Sequence, residues 1–251
     1  MRLKDRVAVV TGAATGIGLA IAQKLAREGA RIVVADIREP TRGVEALAKE
    51  GFEALAVEAD VASEASVAAM IEATVARYGT VDILVNNAAI SQEIKLTPFE
   101  QITKSEFDRM LSVNTVGVFL CCKAVSPIMR AKKYGRIINL TSGTAFKGAP
   151  FMLHYISSKG AVMSMTRSLA REFGADNVLV NAVSPGYTLS EGNLANTEFL
   201  AVYRKSAIET RALPRDAYPD DISGAVAFLA SEDASFITGQ IIAVDGGSVY
   251  H

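Results

Sequence analysis

Two cysteines and two histidines among 251 residues leave little from which to build a metal site. There is no Cys-x-x-Cys pair and no histidine-rich segment, so no metal is expected. The cysteines are the neighbours Cys121 and Cys122, inside the apolar stretch Gly117-Val-Phe-Leu-Cys-Cys-Lys-Ala-Val. Adjacent residues on a helix point in different directions and pair poorly, so both read as buried packing residues, with a redox role as the sharper alternative. An excess of either charge is also missing: 26 Lys plus Arg face 27 Asp plus Glu, for a formal net charge of -1. No overall field then favours nucleic acid or an anionic membrane, and the expected partner is a small molecule. Charge or glycine interrupts the apolar runs before about 18 residues, so no membrane span is expected. The opening residues, Met1-Arg-Leu-Lys-Asp-Arg-Val, lack the apolar core and small-residue cleavage site of a secretory signal, and a cytoplasmic location is expected. Linkers rich in Pro, Gly or Ser, low-complexity runs and long-period repeats are absent as well, which makes residues 1–251 one domain.

What is present is a core-forming chain, 50% apolar and 21% charged. Apolar, β-branched runs recur at Val7–Val10, Ile32–Ala35, Ala54–Val57, Ile83–Val85, Ile137–Leu140, Val178–Val183 and Ile241–Val244. Several lack the polar alternation of a half-exposed sheet, as strands covered on both faces require. Between them, Ile17–Glu28, Val67–Tyr78, Lys104–Ala131 and Ser157–Phe173 repeat apolar residues at helical spacing. Strand alternating with helix predicts an α/β fold with a doubly wound parallel sheet, whose ligand crevice lies beyond the carboxyl ends of the strands. The irregular stretch 187–219 reads as a lid, interrupted by a short helix near Glu198–Ile208, before a helix that starts near Asp220.

Directly after the first strand comes Thr11-Gly12-Ala13-Ala14-Thr15-Gly16-Ile17-Gly18, leading into an amphipathic helix. Gly12 permits a tight turn, Gly16 leaves no Cβ between backbone and pyrophosphate, and Gly18 lets helix pack close to strand. The helix N-terminus offers unpaired N–H groups to the phosphates. Its alternative is an ordinary glycine turn. Asp36 closes the second strand, where a carboxylate can accept hydrogen bonds from the adenosine ribose and repel a 2′-phosphate. Neither Ala14 nor Thr15 supplies a compensating cation, so NAD is expected over NADP, with Arg38 nearby leaving NADP use open.

Tyr155 and Lys159 stand one helical turn apart, a pairing that means little alone. Together with the glycine turn, Asp60-Val61, Asn86-Asn87-Ala88, Asn114, Ser142, Pro185-Gly186 and Val244-Asp245-Gly246-Gly247, it makes the whole chain resemble the short-chain dehydrogenase/reductase family. The resemblance implies a single Rossmann-type domain and a catalytic tetrad of Asn114, Ser142, Tyr155 and Lys159. It further implies a cofactor site drawn from Gly12, Thr15, Gly16, Ile17, Gly18, Asp36, Asp60, Val61, Asn87, Ala88, Tyr155, Lys159, Pro185 and Gly186. Val61 is expected at the adenine and Pro185-Gly186 near the nicotinamide. The family is commonly tetrameric, so a homotetramer is expected.

The chemistry follows independently. A hydride leaving an alcohol carbon requires the hydroxyl proton to leave too, so a base must lie within hydrogen-bond reach. A tyrosine serves only if its pKa falls from about 10 toward 7, a shift worth roughly 4 kcal/mol. An ammonium about 4 Å away at an effective dielectric near 20 supplies roughly that much, which gives Lys159 its part. Ser142 would donate a hydrogen bond to the substrate oxygen, and Asn114 would hold a water linking Lys159 to solvent. Taken singly, each has a plain reading: an interfacial aromatic, a solvated charge, a turn residue, a polar helix position.

Two positions depart from the family pattern. Ala89 stands where Asn-Asn-Ala is usually followed by glycine. After Pro185-Gly186 the aliphatic and Thr positions hold Thr188 and Ser190, and either hydroxyl could meet the nicotinamide carboxamide. The substrate is expected to touch Ser142, Thr144, Tyr155 and Tyr187. The pocket is expected to take Ile90–Ile94, Phe146, Met152, Leu153, Leu189, Leu194 and Phe199 as well, a largely apolar lining that favours an aromatic or cyclic secondary alcohol or ketone. The C-terminal run Ala234-Ser-Phe-Ile-Thr-Gly-Gln and the ending Gly-Gly-Ser-Val-Tyr-His resemble members that oxidise 1-phenylethanol-type alcohols and pyridoxal-type aromatics, or serve only packing. Reduction of 3-oxoacyl groups on acyl carrier protein is the enzymatic alternative, and a non-catalytic nucleotide sensor or scaffold the alternative of another class.

Overall fold

The computed structural model describes residues 1–250, except the side chains of Glu198 and Phe199. The chain alternates β1 (Val7–Thr11), α1 (Gly16–Arg27), β2 (Arg31–Asp36), α2 (Pro40–Lys49), β3 (Ala54–Glu58), α3 (Glu64–Tyr78) and β4 (Ile83–Asn86). It continues through α4 (Lys104–Leu111), a π-helical turn (Ser112–Val116), α5 (Gly117–Lys132), β5 (Gly135–Leu140), α6 (Gly143–Lys147), α7 (Leu153–Phe173) and β6 (Val178–Pro185). The lid carries α8 (Glu191–Ala195) and α9 (Thr197–Glu209), and α10 (Pro219–Ala230) leads to β7 (Ile241–Val244). The strands form one 7-stranded sheet, every pair parallel, in the order β3-β2-β1-β4-β5-β6-β7.

The missing polar alternation is explained by the two faces. Ala8, Val10, Ile32, Val34, Ile83, Val85, Ile138 and Leu140 point into a core shared with Ile21 and Leu25 of α1 and Ile222 and Val226 of α10. Their neighbours Val9, Val33, Leu84, Ile137 and Val180 point the other way, against Val67 and Met70 of α3, Val125 and Met129 of α5, and Val162 of α7. With both faces covered, neither side of a strand alternates apolar with solvated polar residues, and the polar side chains that remain, such as Asn86 and Asn139, bond to each other.

Cys121 and Cys122 are free thiols inside the second core, and burial pushes the Cys122 thiol up to about 12. A thiol held protonated is a poor nucleophile and metal ligand, which leaves packing as its role. The helical run Lys104–Lys132 is long and apolar enough to cross a membrane by length and composition, more so than its interrupted sequence suggested. Its apolar side chains instead meet β4, β5, α3 and α7. The last long helix before β6 opens at Leu153 rather than at Ser157, so Tyr155 lies inside it.

The chain runs outward from β1 to β3 and then returns to β4 on the other side of β1. Between the ends of β1 and β4 the following loops diverge, and a crevice opens there, as parallel sheets require at a reversal of strand order.

Candidate active site

The crevice is built first from backbone. Thr11, the last residue of β1, accepts the Asn87 and Ala88 amides on its hydroxyl, both at 3.1 Å. Asn87 returns its side-chain amide to the carbonyls of Thr11 and Gly12, both at 2.9 Å. The two strand ends are thereby stitched together. Gly12 turns at φ +65°, and a Cβ there would come within 2.9 Å of the Ala88 Cα. A Cβ on Gly18 would lie 2.1 Å from the Gly12 carbonyl oxygen, so α1 approaches the turn as closely as only glycine permits. Thr15 caps α1 without a side-chain hydrogen bond, and its first turn holds no acidic residue, which leaves N–H groups facing the cleft.

That cleft has a volume of about 1050 Å³ and is lined by Gly12, Thr15, Ile17, Gly18, Asp36, Asp60, Val61, Asn87, Ala88 and Ser190 among others. Gly16 turns at φ +60° opposite the Ser190 side chain. Asp36 accepts the Ala14 amide at 3.0 Å and the Arg38 amide at 3.1 Å, so its carboxylate is fixed at the mouth of the glycine turn. Asp60 accepts the Ala62 amide at 2.9 Å. Size, a glycine-lined floor, a bare helix N-terminus and a carboxylate at the second strand suit a dinucleotide. Arg38 also lines the cleft, with its guanidinium paired to Glu93 at 3.3 Å.

A second cavity of about 410 Å³ shares Ile17, Asn87, Ala89, Ser91 and Asn193 with the first. Its lining includes Ser142, Thr144, Tyr155, Lys159, Pro185, Gly186, Tyr187 and Thr188. Ala89, where glycine was expected, faces both spaces, and its methyl closes neither. Of the two hydroxyls after Gly186, that of Thr188 donates to the Gly186 carbonyl at 3.0 Å and belongs to this cavity. That of Ser190 accepts the Asn193 amide at 3.3 Å and belongs to the nucleotide cleft.

Tyr155 and Lys159 share one face of α7. Lys159 is buried and donates to the Leu140 carbonyl at 2.8 Å, and its nitrogen lies 5.9 Å from the Tyr155 ring centre. Burial pushes its pKa down to about 8. The Tyr155 phenol is pushed up by burial, and a hydrogen bond with the Ser142 hydroxyl opposes the rise. The expected fall of the phenol is therefore not produced by the protein alone. The ammonium is directed at a carbonyl rather than at the phenol, and desolvation outweighs the Ser142 hydrogen bond. Ser142 caps α6 and meets the Thr144 hydroxyl at 2.8 Å.

Asn114 sits fully buried in the π-helical turn between α4 and α5. Its side chain accepts the Ile90 amide at 2.8 Å and donates to the Ile90 carbonyl and the Ser158 hydroxyl, both at 3.2 Å. Among the described residues no hydrogen bond joins it to Lys159; its bonds tie the loop after β4 to α7. The widened turn is what brings an internal helix position to that loop.

The substrate pocket keeps the largely apolar lining expected of it but draws on fewer of the expected residues. Ile94 and Met152 line it as expected, but Leu153 and Leu194 are exposed, Phe146 packs beside Met163, and Ile90 faces the nucleotide cleft. Leu189 is buried away from the cavity, and the Phe199 side chain lies outside the described residues. Lys147, Ser206, Thr210, Arg211, Asp245 and Ser248 supply a polar wall that the sequence reading missed. They come from α6, the end of α9 and the segment after β7, which no periodicity links. The Val-Asp-Gly-Gly run was the one signal available.

Comparisons with known proteins agree with this layout. Residues 12–249 match the family model described as enoyl-(acyl carrier protein) reductase. The chain is similar to galactitol 2-dehydrogenase of Agrobacterium fabrum (strain C58), 38% identical over 99% of this chain and 99% of that protein. It is also 38% identical to the 3-oxoacyl-(acyl-carrier-protein) reductase FabG of Staphylococcus epidermidis, over 97% of this chain and 98% of that one. The crystal structure of levodione reductase superposes with a TM-score of 0.90 at 34% identity, covering 100% of both chains.

Proposed function

The chain belongs to the short-chain dehydrogenase/reductase family and is a nicotinamide-dependent oxidoreductase of alcohols and ketones, and from that premise we propose that it uses NAD to interconvert a cyclic or aromatic secondary alcohol and its ketone. The observation that carries the reading is the wall of the smaller cavity. Tyr155, Ser142 and Lys159 all line it, and it shares Asn87 and Ala89 with the dinucleotide cleft.

When bound, the nicotinamide supplies the hydride acceptor for oxidation and the donor for reduction. Tyr155 takes the hydroxyl proton on its phenolate oxygen in oxidation and returns it from the phenol in reduction. Ser142 donates a hydrogen bond to the same substrate oxygen, where charge develops. The Ser142 hydrogen bond lowers the phenol, and Lys159, 5.9 Å from the ring centre, adds a positive charge on the same face of α7. Burial opposes this, so the resting phenol is protonated, the form that ketone reduction requires. Asn114 positions the loop after β4 against α7 through Ile90 and Ser158.

Asp36 supports NAD, because its carboxylate, fixed by two backbone amides, would stand against a 2′-phosphate. The apolar cluster of Ile94, Met110 and Met152, with Tyr155 and Tyr203 against it, supports a ring-shaped substrate body, in keeping with the resemblance of the C-terminal run to aryl-alcohol and pyridoxal-type dehydrogenases. Reduction of 3-oxoacyl groups on acyl carrier protein is the second reading, favoured by the 38% identity to a reductase of that name. Nicotinamide absorbance with a panel of aryl and cyclic alcohols, run against 3-oxoacyl thioesters with each cofactor, tests the two. Turnover of thioesters alone, with NADPH, would overturn the first. Copies of the chain are proposed to associate into a homotetramer. Val116 and Phe119 stand 43% and 49% exposed on the long helix, and sedimentation at micromolar concentration checks the state.

A further inference from the structure

The substrate cavity is charged in a way the whole chain is not. The chain carries a formal net charge of -1, yet the cavity is lined by Lys147, Lys159 and Arg211 against a single carboxylate, Asp245. Three of these four groups are committed. Lys159 donates to the Leu140 carbonyl at 2.8 Å. Arg211, 8% exposed, donates to the carbonyls of Arg215 at 2.7 Å and Tyr187 at 2.5 Å. Asp245 accepts the amides of Gly247 at 3.0 Å and Ser248 at 3.1 Å on one oxygen, and its other oxygen is sealed from solvent.

Lys147 is different. Its ammonium meets only the hydroxyls of Thr210, at 3.3 Å, and Ser248, and those hydroxyls meet each other at 3.0 Å. Among the described residues no carboxylate lies within ion-pairing distance of it. Asp245 acts on the ammonium only through space, outside ion-pairing distance, so an ammonium bonded to two neutral hydroxyls keeps a donor for an anionic group. The apolar cluster around Ile94 and Met152 lies in the same cavity, beside Tyr155. A ligand filling both patches has an apolar body and a remote anionic end.

We propose that Lys147, Thr210 and Ser248 form a carboxylate subsite, so that the preferred substrate is a hydroxy or oxo acid whose reacting carbon is separated from its carboxylate by an apolar ring. This rests on the ring-alcohol reading above and narrows it. A carboxylate there would accept charge-assisted hydrogen bonds from the ammonium and one from the Ser248 hydroxyl, with Thr210, which donates to the Ala207 carbonyl at 3.3 Å, holding the ammonium in place, while the hydroxyl or ketone lies at Ser142 and Tyr155.

The test compares 3-hydroxycyclohexanecarboxylate with its methyl ester, which keeps the shape and removes the charge. In the unmodified enzyme the acid should exceed the ester in kcat/KM by about tenfold or more, the size of one hydrogen bond to a charged group. Lys147→Met should bring the ratio near one, and Lys147→Arg should restore part of it. A ratio near one in the unmodified enzyme, or an unchanged ratio in Lys147→Met, would overturn the subsite. Calorimetric titration of both compounds into the NADH-loaded protein separates this from the parent reading. If neither compound is turned over but the acid binds about tenfold tighter, and Lys147→Met abolishes the difference, the subsite stands and the ring-alcohol reading falls. Equal binding of acid and ester sinks the subsite whether or not turnover is seen.

Discussion

The two cavities meet at Asn87 and Ala89 yet are made of different material. The nucleotide cleft is shaped by main chain: glycines that admit no Cβ, a helix N-terminus, and side chains such as Thr11 and Asn87 that serve the backbone. The substrate cavity is shaped by side chains from α6, α7, the lid and the segment after β7. Backbone geometry leaves a mark in sequence because few residues tolerate it. A cavity wall of ordinary side chains leaves none, because many residues can fill each place.

The sharpest way to separate the halves is to disable one and ask whether the other survives. Tyr155→Phe should lower turnover by about 10³-fold or more while cofactor binding, read by NADH fluorescence, stays within about twofold. Retained turnover would remove the tyrosine from the proton path. Gly18→Ala should do the opposite. A Cβ placed 2.1 Å from the Gly12 carbonyl must push α1 off the sheet, at a cost of about 3 kcal/mol in denaturant unfolding and with loss of NADH binding. A variant as stable as the parent, with cofactor affinity intact, would show that the close approach does not govern the cleft.

Lys159 gives the next largest effect. Burial lowers it to about 8 from 10.5. Between those pH values the unfolded chain holds a proton that the folded chain has released, so stability rises with pH across that window. Below about pH 8 both states carry the ammonium, and the folded state bears its desolvation, roughly 3 kcal/mol at about 1.4 kcal/mol per pH unit. Lys159→Met should therefore equal or exceed the parent in stability near pH 7 while losing most activity, and the parent should gain on it as pH rises from about 8 to 10.5. Urea unfolding across that range reads the difference; a flat one would mean the ammonium is solvated through the cavity.

The same division explains what could be read beforehand. The central strands were visible because buried parallel strands concentrate β-branched residues, β3, half-buried with Val57 its one β-branched residue, by its apolar run alone, and α1 because glycine precedes a periodic apolar face. The start of α7 at Leu153 was hidden, since Leu153 and Tyr155 face solvent and cavity rather than core. The π-helical turn was hidden too, because Asn114 sits in an uninterrupted helical pattern and only the Ile90 backbone shows why a polar group is buried there. Lys147 and Ser248 are far apart in sequence, and only the closure of β7 beside β6 brings the segment after β7 to α6.

Asp36 tests the comparison most finely, because it is the one side chain on which the backbone-built cleft depends for choice of cofactor. Its two oxygens hold the Ala14 and Arg38 amides, so replacing it with alanine would disturb the turn and the charge together. Asp36→Asn keeps the shape and one acceptor, for the Ala14 amide, leaves the exposed Arg38 amide to solvent, and removes the charge. Arg38 and Arg42 stand nearby, paired with Glu93 and Glu191 through exposed contacts that are individually weak and free to rearrange around a 2′-phosphate. The ratio of kcat/KM for NAD over NADP should then fall by about tenfold, close to 1.4 kcal/mol, with thermal stability nearly unchanged. An unaltered ratio would mean that cofactor choice, like cofactor shape, is set by the main chain, and that the carboxylate serves only to hold the turn.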